Sequence, residues 1–390
     1  MVDYLWEYKV LSILHSMISL GVAVLVLLKY KKGVFTPCST DGVILFLFFL
    51  ISFSFLRNYS EYGVFEFLKF LSYVSFYFVG RFISSGLRQI KILGLFSLVS
   101  LVYLTVLAAI GKGYAVWGGI STFTGGYYFK TDLAIAALIL LTFSFVSINR
   151  RSLLVVAFLC AGFLVFKSNA RIALPLLIVI PVFTVMVLRG VIAKVNIKAI
   201  SVALIAMLAG MTLFAFIDFE GLGMLGFDFS DPFSAANTQG RSVIWAALLR
   251  AYFEAGLVGK LTGLGLDADL MAAALFSESI HLESVRAHNS YLYLLVCVGL
   301  LGSFSFYWLI YSIFSKVPYL LKYGAQKGRE IPALSCSFLL LFLWLSMTTE
   351  IIIRPQLMIL FFFFSGVLVQ EYLKVKKNIR KAERAATSRA

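Results

Sequence analysis

The chain has 390 residues, of which 61% are hydrophobic and only 14% charged, and it carries a formal net charge of +15. A soluble domain carries about a quarter charged residues, so this composition excludes an ordinary water-soluble globule. The basic excess does not point to nucleic acid, because most Lys and Arg sit in short clusters between apolar runs, as in loops facing anionic lipid.

Many of the apolar runs approach the ~20 residues that a helix needs to cross a bilayer core. In chain order they predict an all-α, polytopic bundle of about eleven spans, with twelve as the alternative count: 10–28, 42–56, 64–83, 92–110, 132–147, 152–166, 172–188, 196–217, 289–314, 332–350 and 355–373. Tilt or partial re-entry accommodates the shorter ones. No small-residue cleavage site follows Val10 to Leu28, which reads as a retained span. The four cysteines, Cys38, Cys160, Cys297 and Cys336, have no paired spacing, and neither a disulfide framework nor a zinc site is expected.

Alternate loops differ in charge. The set 29–41, 84–91, 148–151, 189–198, 315–331 and 374–390 holds 21 Lys and Arg, against 11 on the other side together with the N-terminus. The first set is therefore expected in the cytoplasm, with the N-terminus outside and the tail inside. Four regions follow: membrane helices one to eight in 1–217, a large outer loop in 218–287, membrane helices nine to eleven in 288–373, and a basic tail in 374–390. A loop of 70 residues needs structure of its own. Gly240 to Val258, with Trp245, Leu248, Leu249, Tyr252 and Phe253, reads as one helix in or near the interface. A second outer loop, 111–131, is rich in glycine and carries Trp117 and Lys130.

Few cations fall on the outer side. Lys130 and Arg171 stand at span starts, Arg241 opens the loop helix, Arg286 precedes His288, and Glu350 and Arg354 flank the last outer turn. Each alone reads as an interfacial anchor. Together they put several cations, an imidazole and a carboxylate on one face, and arginine's planar fork suits a diphosphate. His288, one of three histidines, lies where the longest polar stretch re-enters an apolar run. It reads either as a ring reaching water at the interface or as a group that handles a proton beside an anion. Asp267-Ala268-Asp269 has the spacing of a metal-binding DxD, and His281, Glu283 and His288 can be drawn around a metal, but neither spacing fits a common site on an outer loop, and no metal or cofactor is expected.

The segment Arg286-Ala287-His288-Asn289-Ser290-Tyr291-Leu292, followed by Val298-Gly299-Leu300-Leu301-Gly302, resembles the signature of the O-antigen polymerase and O-antigen ligase superfamily. Arg241-Ser242-Val243-Ile244-Trp245 is similar to the Arg-x-x-x-Trp that opens that family's large periplasmic loop helix, and Thr262-Gly263-Leu264-Gly265 to the turn after it. Gly126 to Asp132 resembles an element of exopolysaccharide polymerases, with Thr131 replacing Asn. Ser168 to Ala173 is similar to a Ser-Arg-Gly/Thr-Ala element, with Ala170 and Ile172 in place of small polar residues.

The resemblance covers roughly residues 110–315. It implies a glycosyltransferase of the bacterial inner membrane with its active site facing the periplasm. The donor would be a glycan on undecaprenyl diphosphate, and the acceptor a glycan or lipid A-core hydroxyl. It further implies polymerisation of repeat units by an inverting, metal-independent transfer, with ligation to lipid A-core as the runner-up. Membrane lipid and a chain-length regulator are the expected partners, and nucleic acid is not. On this reading His288, Arg241 and Arg171 are catalytic, and Arg286, Lys130, Asn289, Glu350 and Arg354 bind diphosphate or glycan. A polysaccharide or lipid-linked sugar transporter is the alternative from another class, although neither two related halves nor midplane charges are evident.

Overall fold

A computed structural model describes residues 10–29, 36–83, 90–117, 120–127, 129–191, 241–276, 286–324 and 328–387. The eighth predicted span, 196–217, and the loop stretches 218–240 and 277–285 lie outside the described residues, as do His281 and Glu283.

The described chain is helical throughout its core. It begins with α1 (Val10–Lys29), α2 (Ser39–Arg57), α3 (Glu61–Ile83) and α4 (Ile90–Ala109). Next come α5 (Lys130–Ser147), α6 (Arg151–Lys167) and α7 (Leu176–Leu188). Three short helices build the loop region: α8 (Arg241–Glu254), α9 (Leu257–Thr262) and α10 (Ala268–Phe276). The last group is α11 (Ser290–Tyr293), α12 (Gly299–Phe314), α13 (Val317–Tyr323), α14 (Glu330–Leu345) and α15 (Pro355–Thr387). Among the described residues, seven helical stretches are long and apolar enough to cross a membrane. Their outward faces carry large apolar side chains, such as Phe46, Phe49 and Phe53 of α2 and Ile92, Phe96 and Val99 of α4. Such a surface is costly in water and ordinary in lipid.

Buried aromatic residues of α3 and α15 form the centre, with Tyr73 stacked on Phe362 at 5.8 Å. A Cβ at Gly80 would collide with the Phe363 carbonyl, and one at Gly366 with that of Tyr77, so the two backbones touch where each lacks a side chain.

Hydrogen bonds sort the helix ends into two groups. At one end Thr40 Oγ1 lies 2.8 Å from Ser312 Oγ, Arg81 Nε donates to Asp41 Oδ1 at 3.1 Å, and Arg329 Nη1 donates to the Leu188 carbonyl at 3.3 Å. At the other, Arg57 Nη1 donates to Thr262 Oγ1 at 3.1 Å, Arg286 pairs with Glu66, and Trp344 Nε1 donates to the Ile172 carbonyl at 2.8 Å. The first end carries the connections that are rich in Lys and Arg by sequence; the second carries α8 to α10. Arg81 is fully enclosed there by Asp41, Gln370 and the Thr36 carbonyl.

Several expectations need correction. The all-α expectation holds for the described residues, to which the loop 111–131 adds one small hairpin, β1 (Tyr114–Trp117) paired antiparallel with β2 (Ile120–Phe123). Its strands are β-branched and aromatic, and Gly118-Gly119 lies between them in sequence. The single loop helix expected over 240–258 is two helices, broken where Gly256 takes an extended backbone before α9. The tenth span ends at Leu345, five residues early, and the carbonyls of Ser346, Met347 and Thr349 beyond it accept from Asn289 and Ser290. The last span continues into the basic tail as one helix: α15 runs 33 residues, about 50 Å, past the ~30 Å of a bilayer core. Its final turns are rich in Ala, Glu, Lys and Arg, which are good helix formers, and Lys374 pairs with Glu371 at 3.2 Å.

Candidate functional site

The second end holds a site built around the turn 286–290. His288 has a φ of 48°. A left-handed backbone is unfavourable for a bulky L-residue, and it persists only where its surroundings over-determine it. They do so here. The His288 N–H donates to Glu350 Oε1 at 2.7 Å, and Trp245 Nε1 of α8 donates to the Ala287 carbonyl at 2.8 Å. Asn289 Oδ1 accepts from the N–H groups of Tyr291 and Leu292 as the N-cap of α11, while its Nδ2 donates to the Met347 carbonyl at 3.2 Å. The Ser290 N–H donates to the Ser346 carbonyl at 3.0 Å, and Ser290 Oγ donates to the Thr349 carbonyl at 3.1 Å. Asn289 is thus a capping residue that clamps the 286–290 turn onto the 346–350 turn.

The glycine motifs have a structural explanation. After α11 the chain forms a π-helix over Leu294–Val298, then turns at Gly299 with φ 78°. Gly263 has φ 89°, and the Leu264 N–H donates to the Val296 carbonyl at 2.9 Å. A Cβ at Gly263 would strike the Cys297 carbonyl, and one at Gly299 would strike the Gly263 backbone. The two motifs are each other's contact surface. The Cys297 carbonyl, within the π-helix, accepts instead from Ser54 Oγ at 2.6 Å.

Charge is distributed unevenly around this turn. Arg286 is fully used: Nη2 donates to Glu66 Oε1 at 2.8 Å and Nη1 to Asp269 Oδ1 at 3.3 Å. Glu66 also accepts both contacts of Lys69 Nζ, at 3.1 and 3.0 Å. Burial opposes charge on Arg286, but the carboxylates of Asp269, Glu66 and Glu350 outweigh it and hold the guanidinium well above its ordinary pKa. Asp269 is buried and committed to Arg286 and to the Ala287 N–H. Arg354 Nη1 lies 3.4 Å from Asp132 Oδ2, and its guanidinium stacks over the Phe129 ring at 4.9 Å.

Lys130, Arg171 and Arg241 form the complementary group. Each is half-buried, and the charges of Arg171 and Arg241 both act on Lys130. Burial lowers the Arg241 pKa, and the nearby Glu350 raises it in part. Burial, then the charges of Arg241, Arg354 and Arg286, pushes the His288 imidazole down to about 4. Burial, reinforced by the Asp269 charge, pushes the Glu350 carboxyl up to about 8. The two neighbours are thus driven in opposite directions, the imidazole down and the carboxyl up.

The structure therefore gathers all eight residues singled out in sequence at one end of the bundle. It divides them into a half-buried cation group (Lys130, Arg171, Arg241), a histidine whose backbone N–H is held by a buried carboxyl (His288, Glu350), a cap (Asn289), and two arginines held by carboxylates (Arg286, Arg354). Sequence reasoning passed over Glu66, Lys69 and Asp132. The signal was there for the first two, an acid and a base three residues apart inside a predicted span. Among the described residues no group of three or more His, Cys, Asp or Glu is placed to hold a metal ion. No family model matches the chain, and comparison with the curated proteins and with the solved structures finds no match to it.

Proposed function

We propose that the protein is a membrane glycosyltransferase that extends a lipid-diphosphate-linked glycan at the outer face of a bacterial inner membrane. The observation that carries this reading is that the charges of Arg171 and Arg241 act on Lys130 while Arg241 also acts on His288, whose imidazole is pushed down to about 4. A diphosphate docked on the three cations would spread its charge over them as the sugar–phosphate bond breaks. The acceptor hydroxyl oxygen attacks the anomeric carbon from the opposite side, the diphosphate leaves with the bonding electrons, and the hydroxyl proton passes to His288. The configuration inverts. The bound diphosphate would also offset the cations that hold the imidazole pKa low, making His288 a better base once donor is in place.

The elements at Gly126–Asp132 and Ser168–Ala173 favour a polymerase, with undecaprenyl diphosphate as carrier and a chain-length regulator as partner. The same geometry serves a ligase that uses lipid A-core as acceptor. Surface polysaccharide from a deletion strain tests this. Core carrying one repeat is expected for a polymerase. Bare core with accumulated lipid-linked polymer indicates the ligase, and an unchanged ladder with unchanged lipid-linked intermediates overturns both. A transporter would instead leave complete lipid-linked units on the cytoplasmic face.

A further inference from the structure

The end of the bundle opposite the His288 turn carries an open groove of about 500 Å3. All six cations between Lys374 and Arg384 line it, together with Thr36, Gln370 and Leu373. That volume falls within the ~300–1,000 Å3 of small-molecule sites. At about 3.6 residues per turn, Gln370, Lys374, Lys377, Lys381 and Arg384 share one face of α15, and neither Glu371 nor Glu383 lines the groove. Several of the cations are three or four residues apart, such as Lys377 with Lys381 and Arg380 with Arg384, and like charges at that spacing repel. Lys374 pairs with Glu371 at 3.2 Å, but a partly exposed pair offsets little of this. The floor of the groove is fixed from inside. The buried Arg81 guanidinium donates to Gln370 Oε1 and, at 2.7 Å, to the Thr36 carbonyl. With Oε1 accepting, the Gln370 amide supplies N–H donors to the groove and Thr36 supplies a hydroxyl.

Depth selects the ligand. From Pro355 to Leu373 α15 is mainly apolar and rises about 28 Å, close to the ~30 Å of a bilayer core. Lys374 therefore opens the basic stretch at headgroup depth, with Leu373 at the acyl boundary. We infer that this groove binds the headgroup of an anionic phospholipid carrying two phosphodiesters, drawn from the surrounding leaflet. Basic pockets between membrane helices hold cardiolipin headgroups in this way. A zwitterionic headgroup would leave the six charges uncompensated, and a single phosphodiester would answer few of them. Two phosphodiesters on one headgroup bring both charges in one binding event. One would take the Thr36 and Gln370 donors with Lys374 and Lys377, and the other the turn from Arg380 to Arg384. Such a ligand relieves the repulsion along the face. A lipid confined to the leaflet also meets the groove at a high effective concentration, an advantage that a soluble phosphate lacks. The binding is independent of the proposed glycan transfer, which is assigned to the opposite end.

The test uses the full chain in detergent micelles, with native mass spectrometry to count bound lipid. The probes are cardiolipin, phosphatidylglycerol and phosphatidylcholine, added separately. One cardiolipin per chain is expected to bind saturably and more tightly than phosphatidylglycerol, with phosphatidylcholine not retained. Lys377→Ala with Lys381→Ala removes two groove cations and keeps the helix, since alanine is the best helix former. Cardiolipin affinity should fall about thirtyfold in this pair. Lys377→Arg with Lys381→Arg should retain it. Arg150→Ala with Arg151→Ala removes the same charge from another connection and should leave the affinity unchanged. Lys377→Gln with Lys381→Gln stands in if the alanine pair does not accumulate. Equal losses in the two alanine pairs, or no saturable cardiolipin, would reduce the face to diffuse attraction and overturn the site. Phosphatidylglycerol held as tightly as cardiolipin would overturn the two-phosphate preference. Displacement of cardiolipin by inorganic pyrophosphate at equal concentration would assign the groove to a soluble phosphate. Retention of polyglutamate in place of cardiolipin would assign it to an acidic protein segment. Either result overturns the lipid reading.

Discussion

Glu350 Oε1 accepts the backbone N–H of His288 at 2.7 Å, joining the last outer turn to the residue held in a left-handed conformation. This contact spans 62 residues of sequence and ties the carboxyl to the histidine backbone. It has two consequences: the His288 backbone strain is supported by tertiary structure, and the Glu350 carboxyl is fixed in a buried position that disfavours its ionisation.

Replacing His288 by glycine separates the backbone from the ring. Glycine adopts positive φ without the steric penalty, so His288→Gly should melt at or slightly above the parent temperature, by up to about 1 kcal/mol. Glycan extension should nevertheless be lost. Chain-length ladders at parental strength in this variant would take the imidazole out of the reaction.

The pH dependence of stability has a definite sign. The Glu350 pKa is raised to about 8 in the folded protein, above the ordinary carboxyl value, so the folded state binds the extra proton. Its stabilising contribution is complete below the unfolded pKa of about 4.3 and is lost as pH rises to about 8. His288, lowered to about 4, acts oppositely, and its contribution grows from pH 4 to its unfolded value of about 6.5. The two offset each other in acid, so between pH 6.5 and 8 the melting temperature should fall. Glu350→Gln should flatten that fall, which thermal unfolding in detergent at stepped pH will measure.

Arg241 and Arg171 are argued to hold a diphosphate, which depends on the guanidinium fork and not on charge alone. Arg241→Lys should lower the transfer rate at least tenfold and leave the unfolding free energy within about 0.5 kcal/mol of the parent. Turnover equal to the parent would reduce Arg241 to an interfacial anchor.

Arg286 belongs to a different class. It neutralises Glu66 and Asp269, both almost fully buried. Arg286→Ala leaves buried Asp269 without its cation and Glu66 with Lys69 alone, and should cost about 3 kcal/mol, seen as loss of folded protein from the membrane. Adding Glu66→Gln and Asp269→Asn should restore accumulation. If the single variant accumulates normally but is inactive, Arg286 contacts substrate after all.

Gly299→Ala should destabilise the fold by more than about 1 kcal/mol, because its φ is 78° and its Cβ would meet the Gly263 backbone. A pair of alanines at 263 and 299 should not rescue it, since both Cβ atoms would enter the same contact. Parental melting in Gly299→Ala would show that the two turns separate at little cost.

Much of this site was legible in the chain. Each of Lys130, Arg171, Arg241, Arg286, His288, Glu350 and Arg354 is a polar residue at the edge of an apolar run, where transfer energetics make any charge conspicuous. The clustering of Lys and Arg in short runs between apolar segments was legible in the same way. The hairpin at 114–123 was hidden because four-residue strands give little periodicity. The break at Gly256 was hidden because α8 and α9 share one apolar character.

Composition and run length alone pointed to a helical membrane protein, since a bilayer admits only helices and closed barrels and apolar runs of about 20 residues select the helix. They also determined which residues were unusual. Only the tertiary structure decided what each does. Arg286 and Arg241 look alike in sequence, yet the first is neutralised by Glu66 and Asp269 while the second faces Lys130 and His288. That distinction is set by carboxylates 17 and 220 residues away from Arg286, and local pattern carries no information about partners at such separations.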